Sequence, residues 1–191
     1  MRTNNLKKIV LACSGASGML YAKLLIDKLS SSNEVEEIAL VFTENAIKIW
    51  ESELQTAIPA TEGKIELFAN NNFYAPFASG SSQYYAMIIC PSSMGMVARI
   101  ANGISDCLIS RAADVILKEQ RKLILVPRET PYNLIHIKNM ERIISAGGVI
   151  CPATPSFYSN PKTIEQLSMT VVDRIIDLIG ISNKTFRWGR K

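Results

Sequence analysis

A strand, a tight turn and a helix follow one another at the start of the chain, and this order constrains the fold more than any other stretch. The apolar run at residues 8–13 breaks into Ser14-Gly15-Ala16-Ser17-Gly18, and leucines at helical spacing follow from residue 20. Such a turn gathers backbone N–H groups, small hydroxyls and the positive end of a helix dipole, which together suit an anion such as a phosphate. Only Gly15 and Gly18 are present, so the dinucleotide fingerprint is absent, and a phosphate or flavin site and a purely structural turn both remain open.

The same order of elements repeats along the chain. Thr43 is a candidate N-cap, and a second turn of small residues at 91–95 opens another helix. Apolar patterns predict strands at residues 37–42, 85–90, 122–127 and 149–151, and helices at 20–29, 106–118, 133–146 and 163–179. The helix after Thr43 is expected to carry Ile47, Trp50 and Leu54, and the helix after the second turn to run through Val97 and Ile100. This alternation predicts an α/β protein with a mostly parallel sheet, in which residues 14–18 and 91–95 lie at the carboxyl edge, where ligands bind.

The pattern loosens between residues 55 and 82, and no strand or helix is assigned to this stretch. Residues 70–82 combine loop composition with interleaved aromatic side chains, which is typical of an active-site or subunit-contact loop. An ordered surface connection is the alternative.

Length and composition exclude several classes of function. With 191 residues, the chain is expected to form one domain over 1–191. The net charge is only +4 and the basic residues are scattered, which argues against nucleic acid and favours a small anionic ligand. No apolar run approaches the ~20 residues that span a bilayer. The first eight residues lead directly into a strand, so we expect no membrane partner and a cytoplasmic location.

Cysteine and histidine usage argues against a metal site. The four cysteines are far apart in sequence and three lie in or beside apolar runs, which predicts buried free thiols. His136 is the only histidine, so a zinc site or a Ser-His-Asp triad would depend on it alone. We therefore expect no metal.

Charged residues in the second half of the chain form a candidate anion site. Arg111, Asp114 and Lys118 share one face of a predicted helix, which by itself is more typical of a solvated surface. Arg128-Glu129 ends the next strand, where an arginine can bind a phosphate while a carboxylate transfers a proton. A plain surface pair remains the alternative.

An ordered set of motifs carries a resemblance across nearly the whole chain. The motifs are Gly15-Ala16-Ser17-Gly18, Pro91-Ser92-Ser93-Met94-Gly95, Arg111-Ala112-Ala113-Asp114-Val115 with Leu117-Lys118-Glu119, Val126-Pro127-Arg128-Glu129-Thr130-Pro131, and Phe157-Tyr158 followed by Pro161. The chain resembles UbiX-type flavin prenyltransferases. The resemblance implies a flavodoxin-like or Rossmann-like three-layer αβα sandwich in a homododecamer, with FMN bound at subunit junctions. It also implies that the dimethylallyl group of dimethylallyl monophosphate joins reduced FMN in a fourth ring. The product would pass to a UbiD-type decarboxylase, in ubiquinone biosynthesis or in aromatic acid degradation.

The resemblance also implies roles for individual residues. The residues expected to act in catalysis are Ser17 beside the flavin, Glu53 as a proton shuttle, Lys118 and Glu129. The residues expected to hold FMN are Gly15, Ala16, Ser17, Thr43, Ser92, Ser93, Met94, Gly95 and Arg128. The residues expected to bind the prenyl phosphate are Lys118, Arg128, Glu129, Tyr158 and Arg174, supported by Arg111. Departures from the family pattern are Thr43 for a serine, Ser92 for a cysteine and Phe73 for a tryptophan that some members have.

Two further expectations concern metal dependence and the C-terminal tail. The sequence contains no Asp-Asp pair, so Lys and Arg side chains rather than aspartate-bound magnesium are expected to neutralise a phosphate. Residues 182–191 are expected to lie at a subunit interface.

Alternative functions are an FMN-dependent decarboxylase of an aromatic acid or a peptidyl cysteine, and a non-catalytic flavin carrier. His136 lies on a predicted helix rather than at a strand tip, which argues against the peptidyl-cysteine reaction.

Overall fold

Six parallel strands form one sheet in the computed structural model, which describes residues 6–189. The strands are β1 (Lys7–Cys13), β2 (Val35–Phe42), β3 (Ile65–Ala69), β4 (Ala86–Ser92), β5 (Lys122–Pro127) and β6 (Val149–Ile150). The helices are α1 (Met19–Ser30), α2 (Glu44–Leu54), α3 (Met94–Ala101), α4 (Leu108–Lys118), α5 (Leu134–Ser145) and α6 (Ile164–Ile179), with a short 3-10 turn at Pro76–Ala78.

The strand order is β3-β2-β1-β4-β5-β6. The chain adds β2 and β3 on one side of β1 and then β4, β5 and β6 on the other side, so the order reverses between β1 and β4. All neighbouring strands are parallel, so their carboxyl ends lie at one edge of the sheet. In doubly wound sheets the point of reversal opens a crevice that binds ligands. The order therefore places the turns after β1 and β4 next to each other at that crevice.

Helices cover both faces of the sheet, which confirms the three-layer αβα sandwich. Alternate strand residues face opposite sides: Ile9 and Leu11 pack with α1, α2 and α6, whereas Val10 and Ala12 pack with α3, α4 and α5. The central strands are buried on both faces, which explains why their sequences are continuous apolar runs.

Strand β3 was not predicted from the sequence. This strand lies within residues 55–82, to which no regular element was assigned, and it pairs only with β2 at the edge of the sheet. Its five residues, Ile65–Ala69, include exposed Glu66, so the apolar run of a central strand is missing.

The predicted end of β4 at Pro91 is also wrong, because the strand continues to Ser92. Pro91 has no N–H to donate, and the register with β5 shifts between Ile89 and Ser92 before pairing resumes opposite Pro127. Ser92 is fully buried as a consequence.

The C-terminal segment, residues 181–189, packs on α6 of the same chain. Asn183 donates to the Asp173 carboxylate, and the Arg187 guanidinium binds Asp177 through two nitrogens. The expected subunit contact of residues 182–191 stays a prediction, and residues 190–191 lie outside the described part of the chain. Among residues 6–189, no helix has the length and apolar character needed to cross a membrane.

Candidate functional site

The turns after β1 and β4 are joined by hydrogen bonds at the reversal point of the sheet. The Ser93 N–H donates to Ser14 Oγ at 2.8 Å, and the Ser14 N–H donates to the Pro91 carbonyl at 3.1 Å. Ser14 is 1% exposed, so its oxygen satisfies a buried N–H group that water does not reach. This role of Ser14 was not predicted, because the partner lies 79 residues away in the sequence.

Two helices begin at this edge with hydroxyl caps. Thr43 Oγ1 accepts from the Ala46 N–H at 3.1 Å, and Ser93 Oγ accepts from the Met96 N–H at 3.2 Å. The predicted N-cap role of Thr43 is confirmed. Each cap begins a helix whose positive dipole end lies at the carboxyl edge of the sheet, which suits a negatively charged group.

A polar cavity of about 330 Å³ lies between these helix starts. Its lining contains three of the residues expected to hold FMN, Gly15, Thr43 and Ser93. The other lining residues are Ser14, Asn45, Asn70, Met96, Arg99, Asp106 and Cys107. Five of the lining residues also border an adjoining cavity of about 710 Å³, whose walls include Phe42, Ile58, Phe68 and Phe73.

The two adjoining cavities offer polar groups in one and aromatic walls in the other, which suit a ligand that combines a phosphate with a flat ring system. Backbone N–H groups, hydroxyls and Arg99 can hold a phosphate, and the aromatic walls can contact a ring system. Arg99 is also bound to Asp106, with its Nε 3.1 Å from Oδ2, so part of its charge is already compensated. Asn70 and Arg99 were missed by the sequence analysis; Asn70 follows β3, the strand that the sequence did not reveal.

A second group of predicted residues meets at the start of α1. Gly18 is left-handed, with φ +105°, and its N–H donates to Glu53 Oε2 at 3.0 Å. The Met19 N–H donates to the same oxygen at 2.8 Å, so the Glu53 carboxylate caps the positive end of α1. Arg128 Nε donates to the Ser17 carbonyl at 3.3 Å. The structure thus brings Ser17, Glu53 and Arg128 together.

Glu129 follows Arg128 at the exposed tip of β5. Its Oε1 accepts from the N–H of the next residue, Thr130, at 3.1 Å. Within residues 6–189, no carboxylate oxygen lies within 4 Å of a nitrogen of Arg128 or Arg174. Both guanidinium groups therefore have capacity for an anionic ligand.

Arg111 and Lys118 lie elsewhere in the chain, along α4. Arg111 Nε donates to the Ala78 carbonyl at 3.1 Å, and Lys118 Nζ lies 2.5 Å from Glu119. Lys118 ends α4 at the amino edge of the sheet, whereas Arg128 follows β5 at the carboxyl edge. The 6 residues of β5 separate the two edges by ~20 Å. One chain therefore does not assemble the expected phosphate cluster, because α4 runs antiparallel to the strand that it precedes.

Tyr158 and Arg174 border a third region, beside the C-terminal segment. The Tyr158 ring packs edge-on against Trp188, with centroids 4.9 Å apart. Arg174 and Trp188 line a cavity of about 560 Å³ on α6. The hydrogen bond from Arg187 lowers the pKa of Asp177. The same bond holds the C-terminal segment against α6.

The cysteines and the histidine lie in positions that explain them as parts of the fold. Cys13 and Cys90 are buried, burial raises the pKa of both, and all four cysteines are free. Cys107 and Cys151 are only partly buried, so the prediction of buried thiols is confirmed for two of the four. His136 completes the N-terminal cap of α5 with Asn133. Within residues 6–189, no group of three His, Cys, Asp or Glu side chains is arranged to bind a metal ion.

Comparisons with known proteins agree with this architecture. The Flavoprotein family model matches residues 1–181. The flavin prenyltransferase UbiX of Methanocaldococcus jannaschii is 41% identical over 186 residues, which cover 95% of this chain and 98% of that protein. The crystal structure of AnUbiX (PadA1) in complex with FMN and dimethylallyl pyrophosphate is 37% identical, with a TM-score of 0.86 over 96% of this chain and 99% of that one. A dodecameric FMN-dependent UbiX-like decarboxylase from Escherichia coli O157:H7 is 33% identical, with a TM-score of 0.90 over 96% and 100% of the two chains.

Identity of this level over nearly full length goes beyond a shared fold. The motifs at both turns, on α4 and at the tip of β5 lie within the matched region. The chain belongs to the UbiX family of flavin prenyltransferases.

Proposed function

We propose that this protein transfers the dimethylallyl group of dimethylallyl monophosphate to reduced FMN. The bond from the dimethylallyl carbon to phosphate oxygen breaks, and inorganic phosphate leaves with the electron pair. That carbon and a second carbon of the prenyl unit each form a bond to a flavin ring atom, which closes a fourth ring. The two flavin atoms each lose a proton, of which one adds to the former double bond of the prenyl unit and the other is released. The observation that carries the proposal is the meeting of Ser17, Glu53 and Arg128 at the start of α1, at the carboxyl edge of the sheet. FMN is a substrate in this reaction, because it leaves as the prenylated product.

The small-residue turns hold the flavin. Gly15, Thr43 and Ser93 line the polar cavity. Ala16, Ser92, Met94 and Gly95 complete the two turns, and the N-termini of α2 and α3 supply positive potential for the FMN phosphate. Thr43 and Ser92 both have small side chains, like the serine and cysteine that they replace, which supports flavin binding despite their departure from the family pattern.

Glu53 is the group that moves protons during ring formation. Its carboxylate is anchored by the N–H groups of Gly18 and Met19, one residue from Ser17. These two hydrogen bonds hold the carboxylate at a fixed distance from a flavin ring that lies on the Ser17 turn. A carboxylate held in place transfers protons faster than one on a freely moving side chain. Glu129, at the exposed tip of β5, supplies a second carboxylate near Arg128.

The prenyl phosphate is bound by residues from more than one copy of the chain. Arg128 and Arg174 have no carboxylate partner within residues 6–189, whereas Lys118 and Arg111 lie on a different surface, which they share with the 76–82 segment. A neighbouring copy whose α4 lies against the β5 tip would bring Lys118 and Arg111 to Arg128. Tyr158, from the region beside the C-terminal segment, would complete the phosphate site. A homo-oligomer, as the dodecameric relative forms, is therefore part of the proposal.

Basic side chains take the place of a metal ion in this proposal. Lys and Arg groups can compensate the charge of a departing monophosphate, and removal of one such donor costs ~3 kcal/mol, a factor of about 100 in rate. Turnover is therefore expected to be independent of added metal.

The biological setting of the reaction follows from the nature of its product. We propose that the enzyme works in the cytoplasm and passes prenylated FMN to a UbiD-type decarboxylase. The recipient decides whether the product serves ubiquinone biosynthesis or aromatic acid degradation.

Phosphate release from dimethylallyl monophosphate tests this assignment. Lys118→Ala and Arg174→Ala are each expected to slow release about 100-fold in the presence of reduced FMN. Lys48→Ala, on the exposed side of α2, is the control and should retain wild-type activity. Unchanged rates in both site variants, or loss of activity with a chelator, would contradict the proposal.

Co-expression tests the sharing of residues between copies. Chains with Lys118→Ala and chains with Arg128→Ala are expected to be inactive alone and partly active when assembled together, because some junctions then receive both intact residues. A mixed assembly as inactive as its parents would refute a shared site.

A further inference from the structure

Helix α5 exposes four large apolar side chains. Leu134, Ile135, Ile137 and Ile144 are 66%, 70%, 47% and 57% exposed. The opposite side of the helix, which includes Met140 and Ile143, packs into the core with α3 and the sheet. The exposed surface of α5 thus carries large apolar side chains among its charged ones, and exposed apolar groups of this size mark an interaction site.

An apolar groove runs beside Ile137 and Ile144, between α5 and the end of β6. It has a volume of about 460 Å³ and is lined mainly by Tyr132, Ile137, Met140, Ile144, Ile150 and Pro152. Its lining is mainly apolar, with Glu141 and Ser145 at its edge, which resembles the composition of the core of a protein interface. An aliphatic side chain from another molecule would fill it.

The charges on α5 indicate what that molecule is. Lys138 and Glu141 lie on the outer side of the helix, and neither forms an ion pair within residues 6–189. They are equally far from the midpoint of α5, as are the terminal residues Leu134 and Ser145. When two copies of this helix pack antiparallel about a two-fold axis, Lys138 of each copy faces Glu141 of the other. Leu134 of each then approaches the Ile144 end of the groove.

We propose that the outer face of α5 is a two-fold interface between two copies of this chain. The face is self-complementary. After a rotation of 180°, Lys138 of one copy meets Glu141 of the other, and the aliphatic Leu134 meets the apolar groove. The inference deepens the homo-oligomer in the proposed function and rests on that part alone, not on the prenyl transfer.

This interface differs from the junction that completes the phosphate site. That junction joins α4 of one copy to the β5 tip of another, so it is heterologous, whereas the α5 contact joins identical surfaces. An isologous contact alone stops at a dimer, and a closing heterologous contact alone stops at a ring. The two kinds together can build a larger closed assembly, such as a dodecamer.

Charge reversal on the full-length chain tests the proposal. Sedimentation velocity is expected to show a smaller assembly for Lys138→Glu and for Glu141→Lys, because each places like charges opposite one another at the axis. The double variant Lys138→Glu/Glu141→Lys restores opposite charges and is expected to return to the wild-type mass. Lys48 and Glu51 on α2 have the same spacing and are exposed, so their reversals are matched controls that should not change the mass.

Cross-linking of the wild-type protein provides a test that needs no variant to fold. A zero-length carbodiimide reagent is applied to an assembly of mixed ¹⁴N and ¹⁵N chains, and Lys138–Glu141 peptides that join light to heavy chains are expected. A monomeric wild-type chain, single reversals that leave the mass unchanged, a double variant no better than the single ones, or exclusively same-isotope cross-links would each overturn the proposal. An unchanged mass in the single variants would leave the face to a different partner. Flavin prenylation is measured separately, so the α5 interface can fail while the proposed reaction stands.

Discussion

Replacement of Gly18 by alanine is expected to damage the flavin turn through two separate effects. Gly18 has φ +105°, a region that side chains with a Cβ rarely adopt, and occupation of it costs ~1–3 kcal/mol. A Cβ would also lie 2.9 Å from Tyr21 Cδ2 and 3.1 Å from Cε2. The Tyr21 ring packs against the core, so it has little room to move, and such overpacking costs a further ~1–3 kcal/mol.

Gly147→Ala separates the two effects. Gly147 has a similar φ of +93°, but a Cβ there has no neighbour within 4 Å. The control is thus expected to lose only the backbone contribution, ~1–3 kcal/mol, and Gly18→Ala to lose ~2–6 kcal/mol. In a chain of this length each kcal/mol lowers the Tm by about 2–4 °C.

Urea unfolding at one fixed protein concentration measures the difference, and flavin binding provides a second readout. Gly18→Ala should bind FMN more weakly, because the shift of residue 18 moves Ser17 and the N–H groups that hold Glu53. Gly147→Ala should bind FMN like the wild type. Equal loss of unfolding free energy in the two variants, with equal FMN affinity, would refute the steric reasoning.

Three further perturbations probe the site and the pH dependence of stability. Ser14→Ala removes the acceptor of the buried Ser93 N–H and is expected to cost ~1–3 kcal/mol in unfolding free energy, measured in urea, and to weaken FMN binding, measured by fluorescence. Glu53→Gln keeps an acceptor oxygen for the start of α1, so FMN should stay bound in a titration while single-turnover ring formation slows; an unchanged rate would exclude proton transfer by this group. The hydrogen bond from Lys7 lowers the pKa of Glu34 from 4.5 to about 2, so the stability that Glu34 contributes is present above pH 4.5 and lost as the pH falls towards 2. The Tm advantage of the wild type over Glu34→Gln should therefore shrink across that interval in melts recorded from pH 7 to 2.

The parts of the fold that the sequence predicts are those whose burial produces a strong pattern. The strands β1, β2, β4 and β5 are covered on both faces, so their sequences are apolar runs. The edge strand β3 has one neighbour, and its pattern is too short and too mixed to distinguish from a loop. Its absence from the prediction also hid Asn70, which follows that strand into the polar cavity.

The residues of the site were recognisable from motifs, but their arrangement was not. Thr43 and Ser93 cap helices through neighbours three residues away, which local sequence can reveal. The contact of Glu53 with the N–H of Gly18 spans 35 residues and depends on how α2 lies against the sheet. Lys118 lies on the same helix as Arg111 and within a motif of the family. Because α4 runs antiparallel to β5, however, Lys118 lies at the opposite edge of the sheet from Arg128. Such separations follow from topology, which spacing in the sequence does not encode.

The mass of the flavin after incubation tests the central claim most directly. The protein, reduced FMN and dimethylallyl monophosphate are combined without oxygen and with a chelator, and the flavin is released and analysed by mass spectrometry. The account predicts a flavin heavier by one five-carbon unit and a matching amount of inorganic phosphate. FMN returned at its original mass, as a decarboxylase or a flavin carrier would return it, would contradict the account.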